Sequence, residues 1–323
     1  MIKKVIKSKN LIKVIGLIFF VLVIIYKIDF RKVYQVIVEL NPYHLAIASL
    51  ITSLPLFIKV IKWHYILKKL GIKKNFKRIY KIYYISMIPG TITPAYIGGI
   101  AAQIAYLKDD HHAVSSSLTS IIIDKLSDLM AALVTSIIGL MFFLTLLKIN
   151  ILITAIISLL VIVSLFFSLR LEIFKKILRV IFFSIVPPRF QNQLKYHLKN
   201  ILTGFEIMTP KDISIIFGLT MLSYIIIWLF LYILAQILDI TQVPSLFLLL
   251  IYALTRFVII IPITIAGIGT REITVLALLS LFSVSNETAV VYSLLMSFLF
   301  LIPIFIIGSY FWFTEPLPSF KKN

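Results

Sequence analysis

The sequence contains no cysteine in 323 residues. This absence excludes a disulfide framework and any metal or redox site that uses a thiolate of this chain. Charge is also scarce, because Asp, Glu, Lys and Arg make up 14% of the residues, against about 25% in an average soluble domain. The acidic residues are the rarer group, with 13 Asp and Glu against 32 Lys and Arg. So little charge beside 60% hydrophobic residues argues against a soluble globular protein.

Long apolar runs occupy most of the chain, and the mean hydropathy is +1.05. A helix of about 20 apolar residues spans the hydrocarbon core of a bilayer. The composition therefore predicts an all-α, polytopic integral membrane protein with about six full spans. These are 11–28, 44–62, 126–147, 151–169, 213–238 and 287–312. The first follows several lysines and has no small-residue cleavage site after it, so we interpret it as a retained span rather than a signal peptide.

The net charge of +19 is concentrated in the links between these spans. Nine basic residues and no acidic one lie between Lys59 and Lys81, and eight basic and three acidic residues lie between Arg170 and Asp212. Basic links are typical of the cytoplasmic side of a membrane, where they face anionic lipid. This pattern predicts a cell-membrane protein with both termini in the cytoplasm, and it favours lipid over nucleic acid as the partner of these charges.

Two segments do not fit as ordinary spans. Residues 82–107 begin and end on the predicted cytoplasmic side, yet they are too few for two spans. We expect a re-entrant hairpin that turns at "PGTITPAYIGG", residues 89–99. Residues 244–282 begin and end on the external side and contain a similar break, "PITIAGIGTRE", residues 262–272. Broken segments that enter from opposite sides predict an inverted repeat around a midplane site.

Charged residues are few within the predicted membrane segments, where unpaired charge is costly. Asp124, Lys125, Asp128 and Arg256 are predicted to form a polar network. Asp124 and Asp128 share a helix face, and Lys125 can reach Asp128 at a spacing of three. The alternative is an ion-pair cluster that only holds helices together.

The two breaks supply the other candidate site. Gly98, Gly99, Gly267 and Gly269 open helices whose N-termini point into the protein, where free N–H groups and partial positive charge suit an anion. With Arg271 and Glu272 they form our hypothesis for a substrate-binding site. In the alternative, Glu272 neutralises Arg271 without any ligand, and the glycines only let two helices pack closely.

No catalytic residues, metal site or cofactor are predicted. The sequence has no Walker loop, zinc motif or nucleophile elbow, and no paired carboxylates can be assigned to a cleft. His111 and His112 are interpreted as part of a cytoplasmic turn. Residues 1–323 are predicted to form one transmembrane domain, with an amphipathic cytoplasmic region at about 170–212.

Four stretches resemble the flippase-like membrane family, also called the lysylphosphatidylglycerol synthase transmembrane region. They are "IPGTITPAYIGGIAAQIAYL", "SSSLTSIIIDKLSDLMAAL", "IPITIAGIGTREITVLALL" and "SNETAVVYSLLMSFLFLIPIFIIG". The family's acid-base-x-x-Asp helix is matched by Asp124, Lys125 and Asp128, and Lys62-Trp63 resembles its basic-Trp pair. The family often has Arg where this chain has Lys125, which loses bidentate phosphate pairing.

The resemblance implies movement of a lipid or lipid-linked sugar between leaflets. Two-domain members carry a cytosolic aminoacyl-transferase domain, which is not expected here, so lipid aminoacylation is not inferred. The leading hypothesis is a translocase of an anionic lipid or polyprenyl-phosphate-linked glycolipid. The alternative is a non-transporting membrane partner of a glycosyltransferase or lipid-modifying enzyme. An intramembrane transferase is the least favoured, because no nucleophile and base can be assigned.

Overall fold

The computed structural model describes residues 30–93, 96–109, 114–146, 199–260 and 269–315, and the regular structure in these ranges is helical. The helices are α1 (Phe30–Val38), α2 (Pro42–Lys69), α3 (Phe76–Ile92), α4 (Ile97–Asp109), α5 (Val114–Leu146), α6 (Pro210–Ile237), α7 (Ser245–Ile260), α8 (Thr270–Ser280) and α9 (Asn286–Thr314). Residues 199–206 are also helical. The predicted all-α fold is confirmed.

Helices α2, α5, α6 and α9 are each long and apolar enough to cross a membrane. They confirm four predicted spans, at 44–62, 126–147, 213–238 and 287–312, whereas those at 11–28 and 151–169 lie outside the described residues. Helix α5 begins at Val114, well before the predicted start at 126. In the serine- and threonine-rich first turns of this helix the hydroxyls donate to the helix's own carbonyls, as in Thr119 to Ser115 (2.8 Å) and Ser120 to Ser117 (2.7 Å), so these polar groups are satisfied within the helix.

Polar side chains cap the N-termini of α2, α3, α6 and α9. Asn41 and Asn75 accept hydrogen bonds from the first turns of α2 and α3. Thr209 and Asp212 form a reciprocal capping box at α6, and Ser285 caps α9. Each cap satisfies backbone N–H groups that have no partner within their helix, so the chain can leave and re-enter helical structure at low cost.

The predicted break in 82–107 is confirmed. Helix α3 ends at Ile92 and α4 begins at Ile97, and the two pack together as a hairpin. The guanidinium of Arg78 near the start of α3 lies 5.9 Å from the ring centre of Tyr106 near the end of α4, so the arms are antiparallel. At 17 and 13 residues the arms are about 26 and 20 Å long, each shorter than a hydrocarbon core of about 30 Å. The first arm begins at Phe76, six residues before the predicted segment.

Helices α7 and α8 flank the second break and also pack together. Most of the sequence "PITIAGIGTRE" lies outside the described residues, which resume at Gly269. Gly269 has φ +96°, a conformation that favours glycine, and α8 follows it directly.

The helices divide into two halves with the same packing plan. The first half is α2–α5 and the second is α6–α9. Within each half the first helix packs on the hairpin, the hairpin arms pack on each other, and the last helix packs on both the second arm and the first helix. Between halves, α3 packs on α9 as α7 packs on α5, and α2 packs on α9 as α6 packs on α5. Exchanging the halves therefore preserves the arrangement.

The two equivalent helices α2 and α6 also pack on each other, and they run antiparallel. Near the end of α2, Tyr65 and Lys69 bind Asp212 in the first turn of α6, at 2.5 and 2.7 Å. Equivalent helices that are antiparallel are related by a two-fold axis perpendicular to them. For spanning helices such an axis lies in the membrane plane, as in inverted-topology repeats.

Two glycines occupy equivalent places at the contacts between halves. A Cβ added at Gly139 of α5 would lie 2.5 Å from the Leu250 Cβ of α7. A Cβ added at Gly308 of α9 would lie 2.9 Å from the Tyr84 carbonyl oxygen of α3. The close approach of α5 to α7, and of α9 to α3, thus depends on the lack of a side chain at both positions.

Candidate functional site

A buried ion network joins α2 to α5. The ammonium of Lys62 lies between two carboxylates, 2.9 Å from Asp124 and 2.8 Å from Asp128. Lys59, one turn earlier on α2, lies 2.9 Å from the other oxygen of Asp128. Lys125 lies 3.3 Å from Asp124. Helix α2 thus supplies two cations on one face, and these form ion pairs with both carboxylates of α5.

Burial is uneven across this network. The side chains of Lys62 and Asp124 are 1% and 4% exposed, whereas those of Lys59 and Asp128 are 17% and 18% exposed. Lys62 also donates to the hydroxyl of Ser127 at 3.0 Å. Lys62 and Asp124 are therefore enclosed, whereas Lys59, Asp128 and Lys125, whose side chain is 38% exposed, remain accessible.

The second half contributes aromatic hydroxyls and a cation. Tyr224 of α6 donates to the Asp128 carbonyl oxygen at 3.1 Å, and its ring meets that of Tyr252 on α7 edge to face. Arg256 of α7 donates to the Tyr252 hydroxyl and lies 4.6 Å from the centre of that ring. The network therefore lies where α2 and α5 of the first half meet α6 and α7 of the second.

The ion pairs in the polar network differ from those that the sequence predicted. Lys125 does reach a carboxylate, but its ion pair is with Asp124, and Asp128 pairs instead with Lys59 and Lys62. Arg256 faces tyrosines, and none of the described carboxylates lies within ion-pair distance of it. Tyr252 and Tyr224 connect it to Asp128 through a ring contact and a hydrogen bond.

Lys59 and Lys62 were missed as network members because they were counted with the cytoplasmic basic cluster of 59–81. Their spacing of three within an apolar helix was the signal, because it places both on one face of α2. Trp63 follows Lys62 and donates from its indole nitrogen to the Ser120 hydroxyl at 3.2 Å, which fixes the α2–α5 contact.

The first break is held by two residues between its arms. Thr93 donates to the Pro89 carbonyl at 2.7 Å and accepts from the Gly98 N–H at 2.8 Å, so its hydroxyl links the end of α3 to the start of α4. Tyr96, at φ +60°, places its ring between the arms, where a Cβ at Gly99 would overlap it. Gly98 and Gly99 thus lie against protein atoms, with no room for a Cβ.

The first break also contacts the ion network. The ammonium of Lys125 lies 4.8 Å from the centre of the Tyr96 ring, a cation–π contact. Lys125 therefore bridges Asp124 and the tip of the hairpin. A movement of the hairpin relative to α5 would change the surroundings of this charge.

The second break has its own neutralised charge. Glu272 accepts from the Gly269 N–H at 2.6 Å and from the Arg271 guanidinium at 3.0 and 2.5 Å. The carboxylate caps the N-terminus of α8 and is 3% exposed, while Arg271 is 14% exposed. An anion that used this N-terminus would have to displace Glu272. Gly267 lies outside the described residues.

Among the described residues, no group of three His, Asp or Glu side chains is placed to hold a metal ion. His111 and His112 lie outside the described ranges. The chemistry available at the ion network is therefore charge pairing and hydrogen bonding, by three lysines, an arginine, two aspartates and tyrosine hydroxyls.

The chain is similar in sequence to known membrane proteins. Residues 10–308 match the profile of the family described as the lysylphosphatidylglycerol synthase TM region. The UPF0104 membrane protein MJ1595 of Methanocaldococcus jannaschii is 27% identical over 123 residues, which cover 38% of this chain and 37% of that relative's length. The family match extends over almost all of the chain, including both breaks and the ion network. This multi-pass membrane protein belongs to the lysylphosphatidylglycerol synthase transmembrane region family.

Proposed function

We propose that this chain is a translocase that moves an anionic lipid, or a polyprenyl-phosphate-linked glycolipid, between the leaflets of the cell membrane. The observation that carries the proposal is the position of the ion network. It lies between two halves whose packing is related by a two-fold exchange and whose equivalent helices are antiparallel. Transporters with inverted repeats bind their substrates at such an interface, near the bilayer midplane.

The depth of the network supports this proposal. Along α2, Lys59 lies about 15 Å from the last residue, Lys69, and along α7, Arg256 lies about 17 Å from the first residue, Ser245. If these helix ends lie at the edges of a core about 30 Å thick, both residues lie near its middle. Ionisable groups at that depth are expensive, and they mark substrate paths more often than they serve as general packing.

Transport would proceed by rocking of one half against the other around this interface, with both termini in the cytoplasm. Gly98, Gly99, Gly267, Gly269, Arg271 and Glu272 are proposed to line the route at the two breaks. In the described arrangement Arg271 and Glu272 satisfy each other. Their part in the proposal is therefore to separate when a headgroup passes, so that Arg271 can pair with its phosphate.

The proposal is tested by reconstitution in liposomes that contain fluorescent phosphatidylglycerol, fluorescent polyprenyl phosphate or fluorescent phosphatidylcholine. Loss of fluorescence after addition of an impermeant quencher measures transbilayer movement. We expect faster movement of at least one anionic lipid than in protein-free liposomes, and little change for phosphatidylcholine. The Asp128→Asn variant should abolish the acceleration, because it removes the carboxylate that two lysines of α2 share.

Rates equal to those of protein-free liposomes for every anionic lipid would contradict the proposal. A chain that co-purifies stably with a glycosyltransferase or lipid-modifying enzyme, and that tolerates Asp128→Asn and Arg271→Ala in that complex, would instead support the non-transporting partner.

A further inference from the structure

The ion network carries an excess of positive charge. Lys59, Lys62 and Lys125 form ion pairs with Asp124 and Asp128. Arg256 is a fourth cation, which donates to Tyr252, whose ring meets that of Tyr224, and Tyr224 in turn donates to the Asp128 carbonyl oxygen. Four cations against two carboxylates leave a formal charge of +2 in a region that the membrane surrounds. Such an excess is unfavourable unless an anion balances it.

The four cations differ in how well they are compensated. Lys62 is enclosed by Asp124, Asp128 and Ser127, and its donors are occupied. Lys59 shares a carboxylate that already pairs with Lys62. None of the described carboxylates pairs with Arg256, which donates to the Tyr252 hydroxyl. Lys125 likewise shares Asp124 with Lys62, and it also lies over the Tyr96 ring of the first hairpin. Lys59 and Arg256 are thus two cations with little compensation, one from each half, and they repel each other.

Lys59 and its carboxylate partner are also partly accessible, as is Lys125, whose side chain is 38% exposed. Lys59 and Asp128 retain 17% and 18% of their side-chain exposure, while Lys62 and Asp124 are enclosed. Arg256 is also partly exposed on α7. An anion that approached Lys59 and Arg256 would meet an ammonium from the first half and a guanidinium from the second, and it would reduce their mutual repulsion.

We propose that Lys59 and Arg256 form a binding site for the phosphate of a lipid headgroup, at the interface between the halves. This inference rests on the proposed function and gives it a location distinct from the two helix breaks. Guanidinium and ammonium groups both bind phosphate oxygens, the former in a bidentate manner. Tyr252 orients the guanidinium, and Asp128 competes with the phosphate for Lys59. A headgroup with net negative charge fits the site better than a zwitterionic one, whose cation the site would repel.

Binding can be measured separately from transport, on the purified full chain in a neutral detergent. The probes are dioctanoyl phosphatidylglycerol, dioctanoyl phosphatidylcholine and inorganic phosphate, and the readout is the ligand-dependent rise in Tm. We expect saturable stabilisation by the phosphatidylglycerol and little by the phosphatidylcholine. Lys59→Gln and Arg256→Gln should each weaken the apparent affinity by about tenfold or more, because each removes a charged hydrogen bond. Lys73→Gln, in the exposed loop between α2 and α3, is the charge-matched control and should not change it.

Asp128→Asn distinguishes a ligand site from a merely structural cluster. It removes the competing carboxylate, so phosphatidylglycerol should stabilise this variant more than the wild type, although the variant without ligand is less stable. Smaller stabilisation of Asp128→Asn than of the wild type, or unchanged affinity in Lys59→Gln and Arg256→Gln, would overturn the proposal. Equal effects of inorganic phosphate and phosphatidylglycerol would reject a lipid headgroup in favour of free phosphate.

The two proposals can fail separately. If binding is saturable and depends on Lys59 and Arg256, but the chain moves no lipid, the binding site is supported and the translocase is contradicted. Lipid movement that is insensitive to Lys59→Gln and Arg256→Gln would retain the translocase and reject the site.

Discussion

Lys62 illustrates how a single residue can be both buried and charged in this protein. Its side chain is 1% exposed, and it is held by two carboxylates and a serine hydroxyl. A buried ion pair often adds little net stability compared with apolar residues of the same size, because desolvation offsets the attraction. Removing one partner is different, since it leaves the other charges buried without compensation.

Lys62→Met should therefore destabilise the protein strongly, by about 3–5 kcal/mol, because Asp124 keeps only the partly exposed Lys125 as an ion-pair partner. Unfolding by denaturant in detergent measures the change. Lys73→Met is the control and should lie within about 0.5 kcal/mol of the wild type.

The double variant Lys62→Met/Asp124→Asn should recover part of this loss. It removes the buried carboxylate that has lost its closest partner, while Asp128 retains Lys59. Additive losses in the double variant would show that the charges of Lys62 and Asp124 are not coupled.

At this scale the sequence predicted the rarer charges but not their partners. Asp124 and Asp128 were recognised because acids within apolar runs are unusual. Lys59 and Lys62 were assigned to a cytoplasmic cluster, because a basic residue near the end of a predicted span resembles an interfacial one. Only the packing of α2 on α5 shows that these two lysines face inward.

The first hairpin is the element in which backbone geometry matters most. Proline and glycine content predicted that the helix breaks, but it did not predict what fills the break. Tyr96 fills it, with its ring between the arms and its hydroxyl donating to the Met87 sulfur at 2.7 Å. A residue whose placement depends on φ +60° and on two neighbouring glycines has no recognisable pattern in a single sequence.

Gly98→Ala should destabilise the hairpin by about 1–3 kcal/mol, because the new Cβ would lie 2.6 Å from the Pro89 carbonyl oxygen and 2.9 Å from the Thr93 side chain. Thermal unfolding in detergent measures the loss. Gly218→Ala in α6 is the matched control, since nothing lies within 4 Å of its added Cβ. That variant should be neutral or stabilised by up to about 1 kcal/mol. Equal effects at the two positions would contradict the close packing of the arms.

A second contact at the element scale joins the start of α3 to the end of α9. Glu315 follows α9 and forms ion pairs with Lys81 and, at 2.7 Å, with Arg78. The hydrogen bond from Lys81, assisted by the charge of Arg78, lowers the pKa of Glu315 below its usual value of 4.5. A carboxyl group with a lowered pKa in the folded state stabilises it above the unfolded pKa, and this contribution is lost as the pH falls through the folded pKa.

Glu315→Gln should consequently be less stable than the wild type at neutral pH, and the difference should shrink below about pH 4.5. Denaturant unfolding at neutral pH and at about pH 3 measures both differences. A difference that stays constant or grows on acidification would show that Glu315 stabilises the fold by a route other than its charge.

At the scale of the whole molecule, the equivalence of the two halves fixes which loops share a side of the membrane. The loop between α2 and α3 and the end of α4 should face the cytoplasm, and the loop between α6 and α7 should face outward. The sequence predicted this arrangement from charge alone, but the pairing of α3 with α9, and of α7 with α5, joins segments too distant in the chain for any local pattern to reveal.

Single introduced cysteines can test this arrangement. The chain has no cysteine of its own, so it gives no background labelling. Cysteines at Lys73 and Lys108 should react with an impermeant maleimide only from the cytoplasmic side, and a cysteine at Gln242 only from outside. Labelling of intact cells against inverted vesicles gives the side. Reaction of Lys108→Cys from outside would exclude a hairpin that enters and leaves on the cytoplasmic side.

The two halves are equivalent in packing but not in their charged residues. Asp124 lies fifteen residues before Gly139, and the position fifteen before the equivalent Gly308 is Ser293. In the same way Asp128 corresponds to Ser297, so the carboxylates have no counterparts in α9. Two access states that arise by exchanging the conformations of the halves would therefore differ in free energy. Without lipid, one state would dominate the population, and a lipid presented to the opposite leaflet would meet the minor one.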